Sequence, residues 1–167
     1  MIKKKICMIG TSGVGKTSLV SRFVQSIFAE KYQTTVGVKV DKKTVDVDGN
    51  EVMLMLWDLA GDDAFQRLET SYLRGTDGYL LVVDGTRRVT LDLALDIQKR
   101  VAAAMVTAVP FMLVLNKSDL ATQWDLDEKL LADLAAQGWT VLRASAKDGS
   151  GVEEAFIALS RRMLLPR

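Results

Sequence analysis

The chain has 167 residues, 49% of them hydrophobic, which is enough for one well-buried core and short for two, so a single globular domain over 1–167 is the expectation. Its 22 Lys and Arg against 21 Asp and Glu give a net charge of +1, too little to steer the whole molecule onto nucleic acid or anionic lipid. With no histidine and one cysteine, Cys7, it lacks the commonest acid-base side chain and has neither an intramolecular disulfide nor a cysteine-rich metal site.

The first predicted strand is IKKKICMIG, in which Cys7 reads as buried packing and Lys3, Lys4 and Lys5 as solvated charge at the strand's entrance. A glycine-rich turn leads into a helix from about Lys16, with Leu19, Val20, Phe23 and Val24 spaced to line one side. In VKVDKKTVDVDGNEVMLMLWD, Val45 and Val47 alternate with polar residues up to Asp48-Gly49, a hairpin signal, and Val52 to Trp57 return as an antiparallel partner. GYLLVVDG (78–85) and FMLVLNK (111–117) are continuous apolar runs, as strands covered on both faces must be, with a helix from Thr90 to Val106 between them. Asp125 and Glu128 have capping-box spacing ahead of Leu126, Leu130 and Leu134, and Gly138 is placed to end that helix. WTVLRAS is the last strand. Ser150 and Glu153 repeat the capping spacing before a stripe of Val152, Ala155, Phe156, Leu159 and Met163.

This alternation predicts an α/β fold, a mostly parallel six-stranded sheet with one antiparallel edge strand and helices on both faces. No apolar run approaches the roughly 20 residues of a membrane span. The start MIKKKICMIG is not a signal sequence, and neither a myristoylation pattern nor a C-terminal prenylation cysteine is present. A cytoplasmic monomer without its own lipid anchor is expected, recruited to membranes through partners if at all.

GTSGVGKT, Gly10 to Thr17, matches G-x-x-x-x-G-K-[ST] between a predicted strand and a predicted helix, the context this motif requires. Glycines let the backbone of Ser12, Gly13, Val14 and Gly15 curl so that N–H groups converge on phosphate oxygens. The first helical turn, with Lys16, Thr17 and Ser18, adds unpaired N–H groups and a positive dipole end. Lys16 brings a point charge to the outer phosphates, and the Thr17 hydroxyl can bind Mg²⁺.

The loop at NKSD, Asn116 to Asp119, narrows the base. It follows a buried strand, at the sheet edge where open α/β folds bind ligands. The Asp119 carboxylate can accept from both N1–H and the exocyclic amine of guanine, where adenine offers an unprotonated ring nitrogen; sites of this kind discriminate by about 10⁴ to 10⁵. ASAK, Ala144 to Lys147, follows the next strand, and the Ala146 N–H can donate to the guanine carbonyl.

GTSGVGKT, Thr35 in TTVGV, DLAG, NKSD and SAK occur in the order and spacing of the Ras superfamily of small GTPases, which the chain resembles over nearly its whole length. VGVKV (36–40), MLMLW (53–57), SYLRG (71–75) and LVVDGT (81–86) are most similar to the Rab branch, although valine stands at position 40 where an aromatic is expected. The resemblance implies the P-loop NTPase G domain, GTP/GDP and Mg²⁺ as ligands, and two switch loops that contact effector, exchange-factor and GTPase-activating proteins. It implies Mg²⁺ ligation by Thr17, by Thr35 when the γ-phosphate is present, and by Asp58 through water. Phe28, otherwise a core aromatic, contacts the base. Asn116 braces the base loop, the Lys117 stem covers the purine, and Ser145, Ala146 and Lys147 join the nucleotide-binding residues. Gly61 donates its N–H to the γ-phosphate. For Trp57, a contact patch with Tyr72 and ordinary packing under switch II both stay open.

Position 62, after DLAG, is where the family usually has a water-orienting glutamine, and here it is Asp62. A glutamine amide both accepts and donates, whereas an ionised carboxylate only accepts. At about 6 Å and an effective dielectric near 20 it would repel a phosphate charge by roughly 3 kcal/mol. Lys16, Thr35, Gly61 and Asp62 are therefore the catalytic candidates, with a low intrinsic GTPase rate and dependence on an activating partner expected. A constitutively nucleotide-bound scaffold that never cycles is the alternative; an ATP-using kinase is disfavoured by NKSD.

Overall fold

The computed structural model describes residues 1–25, 38–59 and 70–166. The strands are β1 (Ile2–Ile9), β2 (Val38–Val47), β3 (Asn50–Leu59), β4 (Gly78–Asp84), β5 (Phe111–Asn116) and β6 (Val141–Arg143), and the helices are α1 (Lys16–Gln25), α2 (Thr70–Leu73), α3 (Arg88–Ala104), α4 (Glu128–Ala136) and α5 (Val152–Met163). The strands form one six-stranded sheet in the order β2-β3-β1-β4-β5-β6. All pairs are parallel except β2 with β3, so the expected mostly parallel sheet with an antiparallel edge strand is present.

Period-two alternation divides the buried side chains between the two faces. Ile6 and Met8 of β1, Leu80 and Val82 of β4, and Met112 and Val114 of β5 join α1 and α5 on one face. Cys7 and Ile9, Leu81 and Val83, and Leu113 and Leu115 join α3 and α4 on the other. On the first face Phe23 of α1 stacks on Phe156 of α5 with centroids 4.1 Å apart. Burying each ring contributes about 1.5–3 kcal/mol. The β2–β3 hairpin closes through Asp48 at φ 52° and Gly49 at φ 87°, the two left-handed residues that a tight turn between twisted strands needs.

Several local expectations are corrected. The helix before β5 runs Arg88–Ala104, two residues earlier than its apolar pattern suggested. The N-cap of α4 is Asp127, whose carboxylate accepts the Leu130 N–H at 3.1 Å, because a 3₁₀ turn at Ser118–Gln123 carries the chain past Asp125 first. Gly138 does end α4, with its N–H on Ala135 O and the Trp139 N–H on Leu134 O. Helix α5 is preceded by Gly151 at φ 69° without a side-chain cap, since the Ser150 backbone is turned into the 145–150 loop. Only three residues of WTVLRAS pair as strand, as β6 is short at the sheet's edge.

Lys5 is not solvated. It is buried, its Nζ donating to Tyr72 O at 2.7 Å and Arg74 O at 2.9 Å while lying 3.8 Å over the Trp57 ring. The ammonium closes the carbonyl end of α2 and meets the negative face of an aromatic, which together compensate for its desolvation. Trp57 is thereby half-buried and packed against the α3 side of the core. Cys7 is buried as expected. Burial pushes its thiol pKa up, outweighing the Thr76 hydroxyl and Lys5, so the group stays protonated.

Candidate functional site

Because β1, β4, β5 and β6 are parallel neighbours, their C-terminal ends and following loops lie along one edge, where a ligand can approach the backbone. Four loops meet there: 10–15 after β1, 85–87 after β4, 117–127 after β5 and 144–151 after β6.

Asn116, fully buried at the end of β5, holds three of these loops together. Its Nδ2 donates to Val14 O at 2.9 Å, and its Oδ1 accepts the Ala146 N–H at 3.3 Å. The contact demands a glycine beside it. A Cβ on Gly15 would lie 2.3 Å from Asn116 Nδ2, and Gly15 has φ 100°, so a side chain there meets both a clash and a strained backbone.

The 10–15 loop curls around a buried Lys16, whose Nζ donates to Gly10 O at 2.9 Å and Thr11 O at 3.2 Å. The cation is thus bound to the inside of the loop that precedes the N-terminus of α1. Beyond it, Thr17 Oγ1 donates to Asp58 Oδ2 at 2.5 Å, bringing together the first turn of α1 and the end of β3. A buried carboxylate beside a hydroxyl is a pair of hard oxygen donors. That fits magnesium, which takes one or two carboxylates and completes its shell with phosphate and water. Among the described residues no cluster of three or more His, Cys, Asp or Glu offers an all-protein cage.

On the base side, Asp119 is exposed, and its Oδ1 accepts the Ser145 hydroxyl at 2.7 Å. Ser145 Oγ in turn accepts the Asp148 N–H at 3.1 Å, so the hydroxyl is oriented before it orients the acid. Lys117 stands at φ 71°, a conformation costing a non-glycine residue about 1 kcal/mol or more. Its surroundings hold it there: its carbonyl accepts from Trp124 Nε1 at 2.8 Å, and its Nζ lies 2.8 Å from Asp84 Oδ2 and donates to Gly13 O at 3.3 Å.

Some residues of the site were not read from the sequence. Asp84 is one; an acid closing the apolar run GYLLVVD was its signal. Burial raises its pKa, but hydrogen bonds from Lys117 and Thr86 outweigh that and hold the carboxyl below the usual range. Trp124 packs so closely on Gly85 that a Cβ there would lie 2.3 Å from the indole. Arg22 of α1 donates to Ala146 O at 2.8 Å and also to Lys147 O, fastening the exposed Lys147 loop, and no sequence signal marked it. Of the expected site residues, Ser12, Gly13, Val14, Gly15, Lys16, Thr17, Ser18, Asp58, Asn116, Lys117, Asp119, Ser145, Ala146 and Lys147 all lie along this edge. Phe28, Thr35, Gly61 and Asp62 lie outside the described residues.

Comparison with known proteins agrees with this arrangement. A model of the Ras family matches residues 5–165. The chain is 35% identical over 162 residues to Ras-related protein Rab-13 of Canis lupus familiaris, covering 96% of this chain and 80% of that one. It is 38% identical over 160 residues to Ras-related protein SEC4 of Saccharomyces cerevisiae, covering 94% and 73%. It is also 35% identical over 166 residues to GTP-binding protein yptV2 of Volvox carteri, covering 96% and 75%. With a matching family model along nearly its full length and Rab-related proteins among its relatives, the chain belongs to the Ras family as a Rab-like small GTPase.

Proposed function

We propose that the protein is a guanine-nucleotide switch that binds GTP and GDP with magnesium along the C-terminal edge of the sheet and hydrolyses GTP slowly. The observation that carries this reading is the Asn116 bridge, which ties the base-side loops at 117–119 and 144–147 directly to the loop around Lys16. Asp119 accepts from the guanine Watson–Crick edge with the oxygen that Ser145 leaves available, and Ala146 donates to the carbonyl. The backbone from Ser12 to Ser18 and Lys16 hold the phosphates, and Thr17 and Asp58 hold the magnesium, with Thr35 joining when a third phosphate is present. The metal supplies charge neutralisation between the phosphates.

Asp62 in place of glutamine supports a low intrinsic rate, because the acceptor-only carboxylate adds repulsion where water must be positioned. Turnover then depends on a GTPase-activating partner. That partner, exchange factors and effectors engage the switch surface, whose described part includes the outer edge of the sheet, where Val40 is exposed and paired with Trp57. The protein works in the cytoplasm and reaches membranes through such partners.

Chromatographic identification of the nucleotide carried by the purified protein tests the base assignment, with guanine nucleotide expected. Single-turnover hydrolysis by wild type and Asp62→Gln tests the rate assignment. A faster glutamine variant is expected, and an equal or slower one overturns the role given to Asp62. Absence of GDP release under multiple turnover favours the non-cycling scaffold.

A further inference from the structure

Two cations flank the middle glycine of the Lys16 loop, and among the described residues only one of them has an acid beside it. Lys117 Nζ donates to Gly13 O at 3.3 Å and lies 2.8 Å from Asp84 Oδ2. The second cation is Arg87. A Cβ on Gly13 would lie 3.4 Å from Arg87 Nη1, so the guanidinium borders the loop within van der Waals reach of this glycine.

The backbone of Arg87 is pinned at the start of α3. Its N–H donates to Asp84 O at 3.0 Å, and its carbonyl accepts both the Thr90 N–H at 3.0 Å and the Thr90 hydroxyl at 2.7 Å. The side chain therefore leaves from a fixed point at the end of β4, next to β1 and its loop. The following residue, Arg88, turns the other way and pairs with Asp127 at 3.3 Å. Among the described residues no carboxylate pairs with Arg87. The two consecutive arginines thus divide: one serves α4, and the other brings its charge to the loop.

We propose that Arg87 is an affinity-determining residue that presents its positive charge to the phosphate chain of the bound guanine nucleotide from the outer side of the loop, slowing nucleotide release. This rests on the nucleotide reading above. Asp84 largely neutralises Lys117, so Arg87 adds its charge at Gly13 from outside the loop, beside that of Lys16 within it. A polyphosphate carries several negative charges, and a guanidinium a few ångströms beyond a thin glycine backbone attracts it through little intervening protein. Arg87 is exposed, so the attraction is screened by salt.

The test is release of a fluorescent GDP analogue from the magnesium-loaded protein, compared for wild type, R87K, R87Q and R87E. At about 0.05 M salt, R87Q is expected to release about 3–10-fold faster than wild type, R87E faster still, and R87K close to wild type. At about 0.5 M salt the differences should shrink to less than about twofold, as the Debye length falls well below that at low salt. Ranking by charge and shrinkage with salt are readouts that loss of packing does not reproduce. Equal release from wild type and R87Q at low salt overturns the assignment, as does an acceleration that persists at high salt. Wild type that holds no guanine nucleotide overturns the nucleotide reading itself, an outcome distinct from both.

Discussion

Asn116 and Val14 are 102 positions apart and joined by a 2.9 Å hydrogen bond, a direct tie between the base side of the site and its phosphate side. The opposite end of the same amide takes the Ala146 N–H. One side chain orientation satisfies both, so the three loops are positioned as a unit.

Asn116→Ala leaves the Val14 carbonyl and the Ala146 N–H, both in buried residues, without this partner. Each unsatisfied group costs about 1–3 kcal/mol. We expect the GDP-loaded protein to lose about 2–5 kcal/mol in urea unfolding and its GDP affinity to fall at least about 30-fold. Calorimetric titration with GDP checks the second figure; unchanged affinity would show that the loops are held by other contacts.

Asp84 makes stability depend on acid. Its folded pKa is depressed, because hydrogen bonds from Lys117 and Thr86 outweigh the opposing effect of burial. The stabilisation is fully present above the unfolded pKa of about 4 and is lost as pH falls through the lower folded value. Asp84→Asn is expected to cost about 2 kcal/mol at neutral pH. Its stability should fall less steeply than wild type's below about pH 4. Urea midpoints across that range decide the matter, and parallel curves would remove Asp84 as the source.

Asp119→Asn is expected to exchange base preference while keeping the local geometry. The amide carbonyl can retain the Ser145 hydroxyl now held by Asp119 Oδ1, which places the new NH₂ where the second carboxylate oxygen was. A donor in that position suits the 2-oxo group of xanthine and leaves the guanine amine unpaired. Competition between GDP and xanthosine diphosphate should shift toward xanthine by about 10²-fold or more. Unchanged selectivity would move the base pocket elsewhere.

The strands, the hairpin and the stripe of α5 could be read without coordinates because each is written in a local period: two for half-covered strands, continuous for fully covered ones, near four for helices. The loop at Gly10–Thr17 was equally legible, since its glycines, lysine and threonine are consecutive and their chemistry is a property of the segment. Helix starts were less so. Asp125 and Asp127 are both able to cap, and the choice fell to a 3₁₀ turn that the spacing did not reveal.

The chain's own pattern, then, specifies which segments become sheet, helix or phosphate loop, because backbone preference and burial period act between near neighbours. What needed the folded molecule was the company each loop keeps. Lys5 changed from solvated charge to a buried clasp on Tyr72, Arg74 and Trp57. Asp84 met Lys117, Arg22 met Ala146, and Arg87 came to rest beside Gly13. Each joins residues brought close only by the lateral order of strands and the helices packed on them. Charges and hydrogen bonds act over a few ångströms of space, whatever the distance along the chain.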